Sequence, residues 1–184
     1  MRARLAAIRM GAGWHMADPL RLVLATIVVG VLATMVLDAW LLFQSRVLRI
    51  ATLDFRLLGR WVGHLGRARV RHDPIGSSAP IPGELAIGWL THYVVGVALA
   101  AVLIAIAGSQ WLRAPTLAPA LAVGLTSVML PFLVLQPAMG AGLAASRSPR
   151  PGAARLRSIV SQGVFGVGLL AGGSVVRSLG LGLH

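Results

Sequence analysis

The sequence predicts an all-α polytopic membrane protein, with four transmembrane helices and an interfacial amphipathic helix between spans one and two. Three observations predict it. Of the 184 residues, 57% are hydrophobic and 12% charged, whereas a soluble domain carries about 25% charged residues. The mean hydropathy is +0.80. Four apolar runs are each long enough to cross ~30 Å of hydrocarbon, which takes about 20 residues.

Residues 1–18 carry Arg2, Arg4 and Arg9 without a helical pattern, and are expected to be a mobile tail. Met16, just ahead of the first apolar run, is a second candidate start. Residues 19–184 then form a single transmembrane domain. Pro19 opens span one, over about Leu20 to Phe43. This run is too long for a signal peptide, and no small-residue cleavage site follows it. Span two covers about Glu84 to Ala107 and ends at Gly108. Span three covers about Thr116 to Met139, and span four about Ile159 to Leu179. The short connection between spans two and three predicts that they are antiparallel neighbours.

Arginine placement predicts the orientation. The first loop holds Arg46, Arg49, Arg56, Arg60, Arg67, Arg69 and Arg71, and the third holds Arg147, Arg150, Arg155 and Arg157. Both loops are therefore expected on the cytoplasmic side, with both termini outside. The net charge of +12 comes from arginine without lysine, which is the usage of GC-rich bacterial genomes. Arginines set between apolar runs are explained by topology and anionic headgroups, so nucleic-acid binding is not expected. No cysteine is present, which excludes disulfides, thiolate nucleophiles and cysteine-held metals.

Within the first loop, residues 46–67 are predicted to form the amphipathic helix. Arg46, Arg49, Arg56, Arg60 and Arg67 fall on one stripe at helical period, opposite Val47, Ala51, Phe55, Leu58, Val62 and Leu65. Such a helix lies in the interface with arginines toward the headgroups and Trp61 at the boundary. Arg49, Arg56 and Arg60 are the headgroup-binding candidates. Residues 72–83, rich in proline, glycine and serine, are predicted to be an irregular loop.

Ionisable groups inside spans each need a reason, because insertion costs roughly 2.5–3.5 kcal/mol at mid-membrane. Asp38 shares a stripe with Gly30 and Thr34. Glu84, Gly88, His92 and Gly96 form one face of span two. Glu84 and His92 lie about 12 Å apart along the axis, too far to share a metal ion directly. Asp38, Gln136 of span three, and Ser158 and Gln162 of span four are their candidate neighbours. Such a cluster suits structural glue between helices, a proton or solute pathway, or a metal or enzymatic site. Histidine beside a carboxylate suits proton transfer near neutral pH. His64, His72 and His92 could donate to a metal, but no diagnostic ligand spacing, Walker loop or nucleophile elbow is present. No metal and no cofactor are expected. Pro131 and Pro137 interrupt span three, the former freeing the carbonyl of Ser127 and the latter that of Leu133. Gly168 and Gly172 mark a close-packing face, either within the bundle or between protomers.

Several runs of residues together resemble a family of small bacterial multi-pass membrane proteins known as a domain of unknown function. They are Thr34-x3-Asp38-x-Trp40 and Leu53-Asp54-Phe55-Arg56-x2-Gly59-Arg60-Trp61-x-Gly63-His64. Gly83-Glu84-x3-Gly88-Trp89-x2-His92-Tyr93 and Gln136-Pro137-x2-Gly140-x-Gly142-x-Ala144-Ala145-Ser146-Arg147 complete them. The resemblance runs from about Leu24 to Gly172 and leaves out residues 1–15. It implies a bacterial inner-membrane protein of four helices and supplies no reaction or ligand.

The leading expectation is a non-enzymatic protein that binds or passes a small solute or proton through an inner-leaflet polar cluster. Asp38, Glu84 and His92 come first as its residues, then Gln136 and His64; a homodimer is expected, since four spans are few for a transporter. The first alternative is a membrane enzyme acting on a lipid or headgroup, with Asp54, His64 or His72 as acid or base. The second is a non-catalytic partner subunit.

Overall fold

The computed structural model describes residues 17–181. The expected tail up to residue 16, including both candidate starts, lies outside the described residues. All described elements are helical. Helix α1 covers Ala17–Arg46, α2 Phe55–Leu65, α3 Glu84–Ala107, α4 Leu117–Thr126 and α5 Pro151–Ser178. Among the described residues, four helical segments, Pro19–Arg46, Glu84–Ala107, Leu117–Ala138 and Pro151–Ser178, are long and apolar enough to cross a membrane. Their outward faces carry residues such as Leu90 and Ile106, exposed here and suited to acyl chains.

Small residues let the helices approach. On α1, Gly30 meets Val97 of α3, where an added Cβ would lie 2.9 Å from the Val97 nitrogen. On α5, Gly168 and Gly172 pack on the backbone of Ala33 and Val29 of α1, each leaving 2.9 Å for a Cβ. Gly124 of α4 likewise faces Gly166 of α5. The glycine face of span four is thus used within the bundle. Val29, Leu103, Leu112, Leu169 and Val176 are completely buried between the helices.

Spans two and three touch little, contrary to the expectation from their short connection; span three packs chiefly on α5. The reason lies in the 3₁₀ turn Ser109–Leu112. It buries Trp111 against Gly173 of α5, and the Trp111 indole donates to the Thr116 carbonyl at 3.2 Å. Helix α5 starts at Pro151, before the expected Ile159. Proline suits the first helical turn, where a backbone donor has no partner.

Span three changes its winding at the prolines. After α4 comes a π-wound segment, Leu130–Leu135, and then a single turn, Gln136–Ala138. The Ser127 carbonyl freed by Pro131 accepts instead from the Leu130 amide at 2.9 Å.

The amphipathic helix is shorter than the arginine stripe predicts. Arg46 ends α1, and Arg49 sits in the connection with φ 53°. The Asp54 carboxylate accepts from the Arg56 amide at 2.8 Å and caps α2. Periodicity carried the prediction through a position where an N-cap residue stops the helix.

The first and third loops meet on one side of the bundle. The His72 amide donates to the Ala138 carbonyl at 2.8 Å and the Ile75 amide to the Met139 carbonyl at 3.2 Å. Arg147 bonds Asp73 at 2.9 Å across them.

Candidate functional site

The glycines that bring α1 against α3 also bring two span-borne ionisable groups together. Gly96 of α3 packs on the Thr34 side chain, whose hydroxyl is turned back to the Gly30 carbonyl at 2.8 Å. One turn further toward the loops, His92 Nε2 lies 2.8 Å from Asp38 Oδ1. The Tyr93 hydroxyl donates to Asp38 Oδ2 at 2.8 Å. Both carboxylate oxygens therefore have partners from the neighbouring helix. The group is half-buried, with the Asp38 side chain 19% and His92 14% exposed.

Helix α2 covers this group from the loop side. Phe55 stacks on Trp89 at 4.2 Å between ring centroids and lies 4.8 Å from the His92 ring. The aromatic residues shield the imidazole from one side. Asp38, His92 and Tyr93 can share and relay a proton, and they can also bind a small donor in place of one another.

Glu84 does not join them. Its carboxylate takes a two-pronged bond from Arg60 of α2: Nε to Oε2 at 2.9 Å and Nη2 to Oε1 at 3.1 Å. This fork matches the planar geometry of the guanidinium. Hydrogen bonding to Glu84 raises the Arg60 pKa above its ordinary value, with burial acting the other way. Arg60 Nη1 also donates to the carbonyls of Gly76 and Ser78, at 3.3 and 3.1 Å. Arg60 is thus committed to holding α2, the loop and the start of α3 together. Arg49 and Arg56 remain exposed.

His64 and His72 are buried in the loop, with their rings 5.1 Å apart. His64 Nε2 donates to the Ala79 carbonyl at 3.0 Å. His72 Nε2 donates to the Arg69 carbonyl at 3.3 Å, and its Nδ1 lies 2.6 Å from the Ser78 hydroxyl oxygen. Both rings brace the loop backbone. With Asp54 capping α2, the acid–base set named for a headgroup enzyme is bonded to the backbone or to Ser78.

A separate neutral network joins the other spans. Gln136 Nε2 donates to Ser158 Oγ at 3.3 Å, while Gln136 Oε1 is buried without a partner among the described residues. Ser127 Oγ lies 2.7 Å from Gln162 Oε1. Trp40 and Gln44 of α1 both donate to Ser161 Oγ, at 3.2 Å each. Sequence reasoning did not single out Gln44 and Ser161, although polar residues within apolar spans are a readable signal. Neither the Tyr93 bond to Asp38 nor the Phe55 contact with His92 is expected from the sequence, where Tyr93 stands only next to His92 and Phe55 only on the apolar stripe of the amphipathic helix. Among the described residues, no group of three or more His, Asp or Glu could hold a metal ion.

Comparison with curated proteins and with solved structures gives no match. Residues 27–176, which cover part or all of each of the four spans and the Asp38–His92–Tyr93 group, match one family model. The chain belongs to the family described as "Protein of unknown function (DUF2938)".

Proposed function

We propose that the protein is a multi-pass protein of the bacterial inner membrane that binds or passes a small solute or proton at Asp38, His92 and Tyr93. Both arginine-rich loops face the cytoplasm under this reading. The supporting observation is the carboxylate inside span one with both oxygens bonded by residues of span two. Intramembrane ionisable residues are costly, and a pair of them facing the bundle interior is what ion and substrate pathways use. The short Asp38–His92 bond gives a proton a direct path between a carboxylate of span one and an imidazole of span two. The backbone roles of Asp54, His64 and His72 favour this reading over an enzyme acting on headgroups. A homodimer would form through faces other than the Gly168–Gly172 stripe.

Proteoliposomes carrying a trapped pH-sensitive dye and a pH gradient test the proposal. Wild-type protein should dissipate the gradient, and Asp38→Asn and His92→Ala should leave it as stable as in empty vesicles. A parallel growth comparison in cells deleted for the protein covers a solute other than the proton. Variants that insert normally, and match wild type in both assays, would defeat the proposal.

A further inference from the structure

We infer that segment 65–71, which follows α2, is a binding site for the phosphate headgroup of an anionic membrane phospholipid, held by Arg67, Arg69 and Arg71. This inference stands independently of the Asp38–His92 reading.

Charge is the first argument. The two loops carry eleven arginines between Arg46 and Arg157 and three acidic residues, Asp54, Asp73 and Glu84. Glu84 is taken by Arg60 and Asp73 by Arg147, and Asp54 caps α2. Arg67, Arg69 and Arg71 are exposed, and among the described residues they make no ion pair. Nine of the eleven loop arginines are thus left without an ion pair among the described residues, and Arg67, Arg69 and Arg71 are the three of them that fall closest together in the chain.

Backbone order is the second argument, and it separates a site from diffuse charge. The Trp61 indole donates to the Val70 carbonyl at 2.8 Å, and His72 Nε2 donates to the Arg69 carbonyl at 3.3 Å. The His64 carbonyl accepts from the Arg67 and Arg69 amides at 3.0 and 3.2 Å. Ala68, at φ 55°, makes the turn between them. The half-buried Trp61 ring and the buried His72 ring thus hold the carbonyls of Val70 and Arg69, and the His64 carbonyl holds the amides of Arg67 and Arg69. A topology signal alone needs charge but no fixed loop. A phosphate site needs donors already positioned, and guanidinium forks match phosphate oxygens two at a time.

Position is the third. The Arg60–Glu84 fork ties α2 to the first residue of a span, which is the level of the headgroups. Val70, between Arg69 and Arg71, is 57% exposed, and Leu65, just before Arg67, is 37% exposed. Apolar side chains interleaved with basic ones fit a lipid interface, where acyl chains lie next to phosphate; they do not fit a water-facing nucleic-acid surface.

Native mass spectrometry of the detergent-purified full chain, titrated with phosphatidylglycerol and with phosphatidylcholine, tests the site. Wild type should prefer phosphatidylglycerol by about tenfold, and Arg67→Gln/Arg69→Gln/Arg71→Gln should bring that preference to about onefold. A second variant, Trp61→Phe, keeps every charge but removes the bond to Val70, and should lose part of the preference. A control, Arg46→Gln/Arg150→Gln/Arg157→Gln, removes equal charge from the same side and should keep it. Equal losses in the two triple variants would mean diffuse charge and would overturn the inference. So would displacement of the lipid by millimolar inorganic phosphate, or a Trp61→Phe preference equal to wild type.

Discussion

Gly59 of α2 and Gly88 of α3 lie backbone against backbone. A Cβ on Gly59 would come 2.7 Å from the Gly88 nitrogen, and one on Gly88 would come 3.1 Å from the Gly59 nitrogen. Each would also fall on a carbonyl oxygen, that of Glu84 or of Phe55. This crossing sets the height of α2 on the bundle. It thereby aims Arg60 at Glu84 and brings Phe55 over His92.

Alanine at either glycine should therefore lift α2. Gly59→Ala or Gly88→Ala is expected to cost about 1–3 kcal/mol, the range for overpacking, and the clashing atoms here are backbone. Limited proteolysis in detergent would report the change as faster cleavage within residues 47–83. Unchanged cleavage and melting temperature would show that α2 does not depend on this crossing.

The Arg60–Glu84 fork yields an asymmetric prediction. Arg60→Lys keeps the charge but cannot make two parallel bonds and reach Ser78 as well. It should lower the melting temperature and loosen residues 76–84 to hydrogen exchange. Arg60→Ala should do more, because it leaves the buried Glu84 carboxylate without its counter-charge. Equal stability of wild type and Arg60→Ala would contradict the role assigned to the fork.

The Gly168–Gly172 face carries a third prediction. Because it packs on Ala33 and Val29 of the same chain, Gly168→Ile should destabilise the bundle by about 1–3 kcal/mol or more. It should not change the mass of the detergent-solubilised particle. Conversion of a dimer to a folded monomer, seen by light scattering, would place that face between protomers instead.

The legible part of this architecture follows from what the sequence encodes locally. Four apolar runs give the spans, and the four-residue spacing of Gly30, Thr34 and Asp38 gives a face turned toward other helices. The same spacing places Glu84 and His92 on one seam. Spacing cannot say which partner each meets, because that depends on helix rotation and crossing height. Asp38 is a candidate neighbour of both Glu84 and His92 by its face, and it meets His92, with Tyr93 on its other oxygen. Glu84 was grouped with His92 by its stripe, but Arg60 claims it once the Gly59–Gly88 crossing lowers α2 onto α3. Asp54 carried a readable N-cap signal that the longer arginine periodicity obscured. The Phe55 contact with His92 had no local signal at all.

Tyr93 supports Asp38 by one bond. Tyr93→Phe should cost about 0.6 kcal/mol, the mean for interhelical hydrogen bonds in a membrane protein, and at most about 1.7. The variant should fold and insert. Under the proposed function it should slow the dissipation of a pH gradient less than Asp38→Asn does, since Asp38 keeps its bond to His92. A Tyr93→Phe protein as inactive as Asp38→Asn would move Tyr93 from a supporting role to the centre of the pathway.

Gln136 leads to a prediction of the opposite sign. Its Nε2 donates to Ser158 at 3.3 Å, and its Oε1 is buried with no donor among the described residues. Rotating the amide by half a turn leaves both its oxygen and its nitrogen unpartnered, since the Ser158 hydroxyl is already given to the Ala154 carbonyl at 3.1 Å. A buried polar atom without a partner costs about 1–3 kcal/mol, more than the long bond to Ser158 returns. Gln136→Leu keeps similar volume and removes the unpartnered atom, while Ser158 retains its acceptor. It should therefore leave the melting temperature unchanged or raise it. A fall of several degrees would show that the Gln136 oxygen has a donor in the membrane, which would make Gln136 part of a bound-ligand or water-filled site.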